Sequence, residues 1–438
     1  MTRPAKTSTS ASTTSPRAAR RPCSRLLPVL LALGLLLATA GCAASEAPER
    51  VSIMVPWTQQ GEFHAFYSVV KEFEDDTGVQ VDVQVTRALT QQLDASVTAG
   101  APPDLAVLPS VGAIARYAGG EHGLRPLDAG TVDIGAYLRP FRDLARVRGE
   151  TYAVPVKVDV KSLVWYDAET TAKPPTASTG ALAAFAREAG LTWCLGLASG
   201  PTSGWPGADW IADVVLADAG ADAYAKWASG ALPWTSPEVE RAWSRWHGLV
   251  GAAALKDTSH RGFAEATQAM TRADPTCRLA HGTRSALAGD LQKEARFSFA
   301  APPADRPVEV SGDFIGMFTE SSPNARRFVA YLAGAEAQQL WVDAAGSSAF
   351  SARTEVTRYG DGVRQRIAAM LQPRSGYRLC FGAADVMSPD VAAAFYRAVL
   401  QYADGADELS TLLTRLQKVQ DGLGESPVPE SDVCADPT

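Results

Sequence analysis

Histidine is scarce in this chain: five occur in 438 residues, and they are scattered. That scarcity removes the simplest routes to a zinc site and to a Ser-His-Asp triad. No H-E-x-x-H run, G-x-S-x-G elbow or Walker loop occurs either, so zinc hydrolase, serine hydrolase and nucleotidase chemistry lack their sequence marks. Cysteine never forms a C-x-x-C pair. No block of like charge, internal repeat or low-complexity tract follows the Ser/Thr-rich start, which excludes a basic stripe for nucleic acid or for an anionic membrane surface. Long hydrophobic runs are missing beyond residues 26–40, and that one run falls short of the roughly 20 residues a membrane span needs. Cleavage of a glycosidic bond by two carboxylates has a three-dimensional signature that sequence spacing does not carry. No enzyme and no cofactor is expected.

What is present begins with an export signal. Arg17, Arg20, Arg21 and Arg25 precede the apolar run, no acid interrupts them, and the run ends in Gly41-Cys42. A basic start, an apolar centre and a small-residue site read as a cleaved leader. The segment Thr39-Ala40-Gly41-Cys42 resembles the lipobox of bacterial lipoproteins, which implies a lipid on Cys42 and a protein exported and anchored to the outer face of the cell membrane. Residues 1–41 are then the signal peptide and 42–50 a short tether. Removing the leader's six basic residues leaves 35 Lys and Arg against 48 Asp and Glu, a net charge of about −13 spread over solvated surface. Four cysteines remain in the globular part, Cys194, Cys277, Cys380 and Cys434. In an exported chain an even number reads as two disulfides, with three possible connectivities.

The globular pattern starts at once. Val51, Ile53 and Val55 alternate as a strand, Phe63, Phe66, Val70 and Phe73 mark a helix face, and Val79 to Val85 alternate as a second strand. A helix through Leu93 and Val97 and a short apolar strand at 105–108 follow, the order of an α/β sheet with parallel pairing. Val154, Val156, Val158 and Val160 alternate with polar residues and run on to Tyr166, interrupted by Pro155, which suits a strand passing from one domain to another. Residues 181–291 read as mostly helical and rich in tryptophan. Strands return near 298–300 and 314–318, and Ser322-Pro323 opens a late helix.

The run Trp193-Cys194-Leu195-Gly196-Leu197-Ala198-Ser199-Gly200, followed by Ser203-Gly204-Trp205-Pro206-Gly207-Ala208-Asp209-Trp210-Ile211, resembles the substrate-binding lipoproteins of α-glucoside-type ABC transporters, within the family-one extracellular solute-binding proteins. The resemblance continues in order through Ala101-Pro102-Pro103-Asp104-Leu105, Val154-Pro155-Val156-Lys157, Lys161-Ser162-Leu163-Val164-Trp165-Tyr166, Asp274-Pro275-Thr276-Cys277, Gly312-Asp313-Phe314 and Ala384-Asp385-Val386-Met387-Ser388-Pro389. It implies an α/β, two-lobed, periplasmic-binding-protein-like fold with crossing hinge strands, one lobe from residues 51–157 and 308–349 and the other from 158–307 and 350–434. It also implies Cys194–Cys277 as one disulfide. Cys380–Cys434 then rests on the even count alone.

The function implied is capture of a mono- or oligosaccharide and its delivery to ABC permease subunits by a monomer that touches the membrane only through its lipid. A ligand-sensing or partner-docking lipoprotein of the same fold is the alternative. A sugar site needs aromatic platforms beside planar polar groups. Trp57 stands at the C-terminal end of the first strand, where open α/β sheets bind ligands, and Glu62 opens the next helix. Asp104, Trp205, Asp209, Trp210, Asp313 and Phe350 complete the candidate set. The chain departs from the family pattern at Ser110, where Gln is usual. It departs again after Cys277, where Arg278-Leu279-Ala280-His281 replaces an aromatic residue and a His-Arg-Gln run.

Overall fold

The alternating valines at the start of the globular chain form strand β1 (Arg50–Val55), and helix α1 (Gln60–Thr77) leads from it to β2 (Gln80–Val85). Helix α2 (Leu89–Thr98) then leads to β3 (Leu105–Leu108), and β1 pairs in parallel with both other strands. In this computed structural model, residues 49–438 are described apart from 109, 320–321 and 424–427. The leader and Cys42 lie outside the described residues. Helix α1 buries Ala65, Phe66, Val69, Val70 and Phe73, a stripe at helical spacing. It stops at Gly78, whose φ of 73° is left-handed and whose N–H donates to Glu74 O, the cap that glycine makes without a Cβ clash.

Strand β4 (Ala153–Val160) is buried along its whole length, and after a short break the chain continues as β5 (Val164–Asp167) in a different sheet. There β5 lies between the antiparallel strands β6 (Leu279–His281) and β7 (Phe297–Ala300). Strand β8 (Pro307–Met317) is the spine of the larger sheet. β4 takes one edge of it, antiparallel; along the other edge its neighbour changes from β9 (Arg378–Phe381), parallel, to β3, antiparallel. With β10 (Cys434–Ala435) beside β9, the order is β10-β9-β8-β3-β1-β2, seven strands with β4 among the described residues. The fold is α/β and two-lobed, with β4 and β8 as the crossing strands.

The tryptophan-rich region is largely core. Helices α3 (Trp205–Ala228) and α4 (Pro237–Val250) pack with Trp227, Trp234 and Trp243 around Phe395, at ring separations of 4.9 to 5.7 Å. Residues 181–291 are mostly helical, as expected, but Leu279–His281 is a strand, paired antiparallel with β5 and flanked by Cys194, whose N donates to Leu279 O at 2.7 Å. The late helix α5 (Pro323–Ala333) is capped by Ser322, whose hydroxyl accepts from Ala325 N, and α6 (Ala335–Asp343) follows it. Helices α7 (Gly362–Leu371) and α8 (Pro389–Ala403) come from the C-terminal part.

Both disulfides are present, Cys194–Cys277 and Cys380–Cys434. The second joins directly opposed residues of β9 and β10 and spans 54 positions. Replacing Cys380 and Cys434 together by serine is expected to lower unfolding stability by about 2–4 kcal/mol through the freed chain. Urea titration monitored by tryptophan fluorescence measures this, and an unchanged midpoint contradicts it.

Candidate functional site

Polar residues recur at every second position on the two crossing strands: Lys157 and Asp159 on β4, with Lys161 just beyond it, and Glu309, Ser311 and Asp313 on β8. A period of two places each set on one face. The antiparallel register then opposes Lys157 to Asp313 and Asp159 to Ser311. Between Asp313 and Phe314 the register shifts, beside Pro155. Such an irregularity tolerates proline and re-aims nearby side chains.

Each lysine gathers its own carboxylates. Lys157 Nζ is 2.5 Å from Glu62 Oε1 on α1 and 3.9 Å from Asp313 Oδ2, and Trp57 Nε1 donates to the same Asp313 oxygen at 3.0 Å. Trp57 is fixed in turn by Phe66 and Trp341, each ring centre 4.8 Å away. Lys161 Nζ donates to Asp209 Oδ1 at 2.9 Å and Asp385 Oδ2 at 2.8 Å, with Glu309 Oε1 at 3.9 Å. Burial pulls both ammoniums down, but the surrounding carboxylates outweigh it and hold them above the ordinary lysine value. Burial pushes Asp159 and Asp209 up to about 6, against the pull of Ser285 and Lys157 on the first and of Lys161 on the second. Burial also raises Asp313, opposed by Lys157, and raises Glu309 well above the carboxylate range, opposed by Lys161 and reinforced by Asp209. Gly382 is required beside this cluster, since a Cβ there would lie 2.5 Å from Asp385 Oδ2 and 2.6 Å from Lys161 Nζ.

These groups border a cavity of about 320 Å3. Trp57, Trp205, Phe263 and Tyr396 add ring surface to it, and Trp205 meets Phe263 edge-on at 5.2 Å. Gly204 lets α3 begin against α8: its φ is 104°, and a Cβ there would lie 2.1 Å from Tyr396 O. Carboxylates locked by lysines and by an indole N–H are fixed acceptors beside fixed donors. Such a lining holds a polar, hydroxyl-bearing molecule in one orientation.

Of the sequence candidates, the structure brings together Trp57, Glu62, Trp205, Asp209 and Asp313 around this cavity. Three lie elsewhere. Asp104 accepts from Ser52 N at 2.9 Å and Ser52 Oγ at 2.8 Å, so its carboxylate ties β3 to β1. Trp210 is buried between Trp193 and His281, stacking on the His281 ring at 4.8 Å. Phe350 is fully buried, bridges Val158 through its backbone and packs against Tyr359 at 5.4 Å. Sequence reasoning missed Lys157, Asp159, Lys161, Asp385, Arg87, Phe263 and Tyr396, all of which line the cavity. For the first three the signal was available: charged residues at alternate positions of a strand whose other positions are valine.

The family model for bacterial extracellular solute-binding proteins matches residues 68–364. The alpha-glucosides-binding periplasmic protein AglE of Rhizobium meliloti (strain 1021) is 29% identical over 410 residues, 86% of this chain and 88% of that protein. The osmoprotective compounds-binding protein GgtB of Synechocystis sp. (strain ATCC 27184 / PCC 6803 / Kazusa) is 26% identical over 420 residues, 89% of this chain and 97% of its own. Among solved structures, the bacterial solute receptor AcbH, which has an exclusive preference for β-D-galactopyranose, superposes with a TM-score of 0.72 at 18% identity, covering 86% of this chain and 100% of that one.

Asp159 offers a test of the electrostatics. Its raised pKa means that the folded protein holds this proton more tightly than the unfolded chain, so its contribution to stability falls as pH rises from the ordinary 3.8 through about 6. Above that window the full cost of the buried charge is present. Asp159→Asn is therefore expected to unfold later in urea at pH 8, by on the order of 2 kcal/mol, and to lose that advantage by pH 4. A gain that is larger at pH 4 than at pH 8 contradicts the assignment.

Proposed function

The chain belongs to the bacterial extracellular solute-binding proteins, and on that premise we propose that its cavity captures a sugar which the protein delivers to an ABC permease. The observation that carries the reading is the pairing of lysine-clamped carboxylates with the half-buried Trp205 and Tyr396 around one cavity. Carboxylates held in place accept from adjacent hydroxyls, while aromatic faces cover the C–H face of a ring. The relatives AglE and GgtB, by name, bind α-glucosides and osmoprotective compounds, and the first of these descriptions is a sugar class. Glu62, Asp209, Asp313 and Asp385 are the hydroxyl partners in this reading, and Trp57 and Trp205 the platforms.

The lobes we assign are residues 51–157 with 308–349, and 158–307 with 350–434. Support comes from β8, whose partner along one edge changes from β9 to β3 within its length. Closure of two such lobes is favoured only when a ligand supplies contacts to both. Cys42 is assigned as the lipid attachment site that holds the protein at the outer face of the membrane, with the remaining chain acting as a monomer.

Two measurements test these assignments. A saccharide at about 100 times its dissociation constant is expected to stabilise the mature protein by about 2.7 kcal/mol, and Trp205→Ala to weaken that saccharide by about 2 kcal/mol, a factor of roughly thirty. A panel of mono- and oligosaccharides in which none shifts the melting temperature, while a partner domain does, transfers the protein to a sensing role. For the anchor, Cys42→Ala is expected to move the protein from the membrane fraction to the medium, because stable anchoring needs the acyl chains. Retention of that variant at the membrane removes the lipid assignment.

A further inference from the structure

A second, larger cavity of about 870 Å3 adjoins the first, and Gln59 and Glu62 line both. Its chemistry is different. Two buried guanidiniums, Arg284 and Arg364, stand in its wall at 6% and 8% exposure, with the exposed Arg366 and Lys293 at its rim. Opposing them, Glu62 is engaged by Lys157, Glu294 by Arg296, and Asp361 lies at 3.4 Å from Arg284 with its side chain 47% exposed. Asp361 is thus a half-solvated partner for two buried cations.

Arg284 Nη2 donates to Gln292 O at 2.9 Å, and its other acceptors, Gln292 Oε1 and Asp361 Oδ2, lie at 3.4 Å. Arg364 Nη2 donates to Val342 O and Ala349 O, but its buried Nε has no protein acceptor. Ser348, 2% exposed and lining the same cavity, has a buried hydroxyl with no partner. A buried donor left unmatched is costly, and a charged acceptor satisfies it best. The first turn of α7, through Gly362 and Val363, also lines the cavity, and Asp361 caps it by accepting from Arg364 N at 2.7 Å, so that one carboxylate serves the helix end as well as Arg284. Burial lowers both Arg284 and Arg364 against the pull of Asp361, and Arg364 adds to the lowering of Arg284.

We propose that this cavity receives an anionic group, a carboxylate or phosphate, carried by the captured solute, so that the solute is an acidic glycoside rather than a neutral sugar. The inference rests on the reading that the first cavity takes the sugar ring. Each chamber then reads a different part of one molecule: locked carboxylates read hydroxyls, and the cluster of guanidiniums reads the charge. Specificity follows because a neutral analogue leaves the Arg284 and Arg364 guanidiniums balanced by the half-solvated Asp361 alone.

The test uses calorimetry and thermal shift on the mature protein at constant ionic strength, with maltose, maltobionate, maltose 1-phosphate and inorganic phosphate as probes. The expected result is stabilisation by inorganic phosphate above a chloride control, and at least tenfold tighter binding of an acidic disaccharide than of maltose. Both effects should be lost in Arg364→Gln. Because Arg364 also holds two backbone carbonyls, Ser348→Ala combined with Arg366→Gln serves as the second variant and should cut the acid preference at least threefold. Phosphate stabilisation that no acidic saccharide competes with or exceeds assigns the site to a free anion and overturns the glycoside proposal. Phosphate stabilisation lost in Arg364→Gln, with no saccharide bound at all, leaves the anion site standing and sinks the sugar reading. Equal binding of maltose and its acidic analogues without a phosphate effect overturns the proposal while the sugar reading survives. No response to any probe overturns the proposal as well.

Discussion

Two lysines four residues apart on a single chain segment are the constraint around which the rest of this molecule is arranged. Removing an ammonium from water costs several kcal/mol, a cost offset only when carboxylates meet it with good geometry. Lys157 takes Glu62 from the first helix, and Lys161 takes Asp209 from α3 and Asp385 from the C-terminal part. The segment 157–161 is therefore bound electrostatically to three separated parts of the sequence. Removing any one partner leaves a buried charge uncompensated, so the cluster also specifies how those parts come together.

The surplus of acid in that cluster has its own effect. Asp209, Glu309 and Asp385 share one ammonium, and burial raises Glu309 well above the carboxylate range against the pull of Lys161. Tyr224 donates its hydroxyl to Glu309 Oε1 at 3.2 Å, so the buried end of the cluster has a donor besides the ammonium. The polar face of the crossing strands thus presents Asp209 and Asp385 to the cavity while Glu309 stays behind them in the core.

Much of this was legible in the residues. The βαβ start, the strand passing between sheets and the helix capped by Ser322 all follow from local pattern, since period, cap and turn chemistry agree there. The site was only half legible. Trp57 is marked by its place after the first strand and Glu62 by its place at the start of the next helix, whereas Lys157, Asp159 and Lys161 stand among valines that read as a simple buried strand. Phe263 and Tyr396 carry no local signal; Tyr396 reaches the cavity through the packing of α3 and α8 at Gly204, and Phe263 by meeting Trp205, each a contact between parts far apart in the chain. Trp210 and Phe350 show the opposite error. An aromatic residue in a promising loop is read as exposed by its neighbours, yet each ring here is buried in its own core.

Strand β8 sits at the middle of its sheet but far later in the chain than β1, β2 and β3, and β10, which pairs with its neighbour β9, comes later still. The βαβ layer alone therefore leaves β3's outer edge unpaired until Phe314–Met317 of β8 cover it. Long-range pairing of this kind is slow and leaves strand edges open to other chains. The step that closes this sheet is consequently also the step that removes its exposed edge, so folding and protection from self-association are one event here.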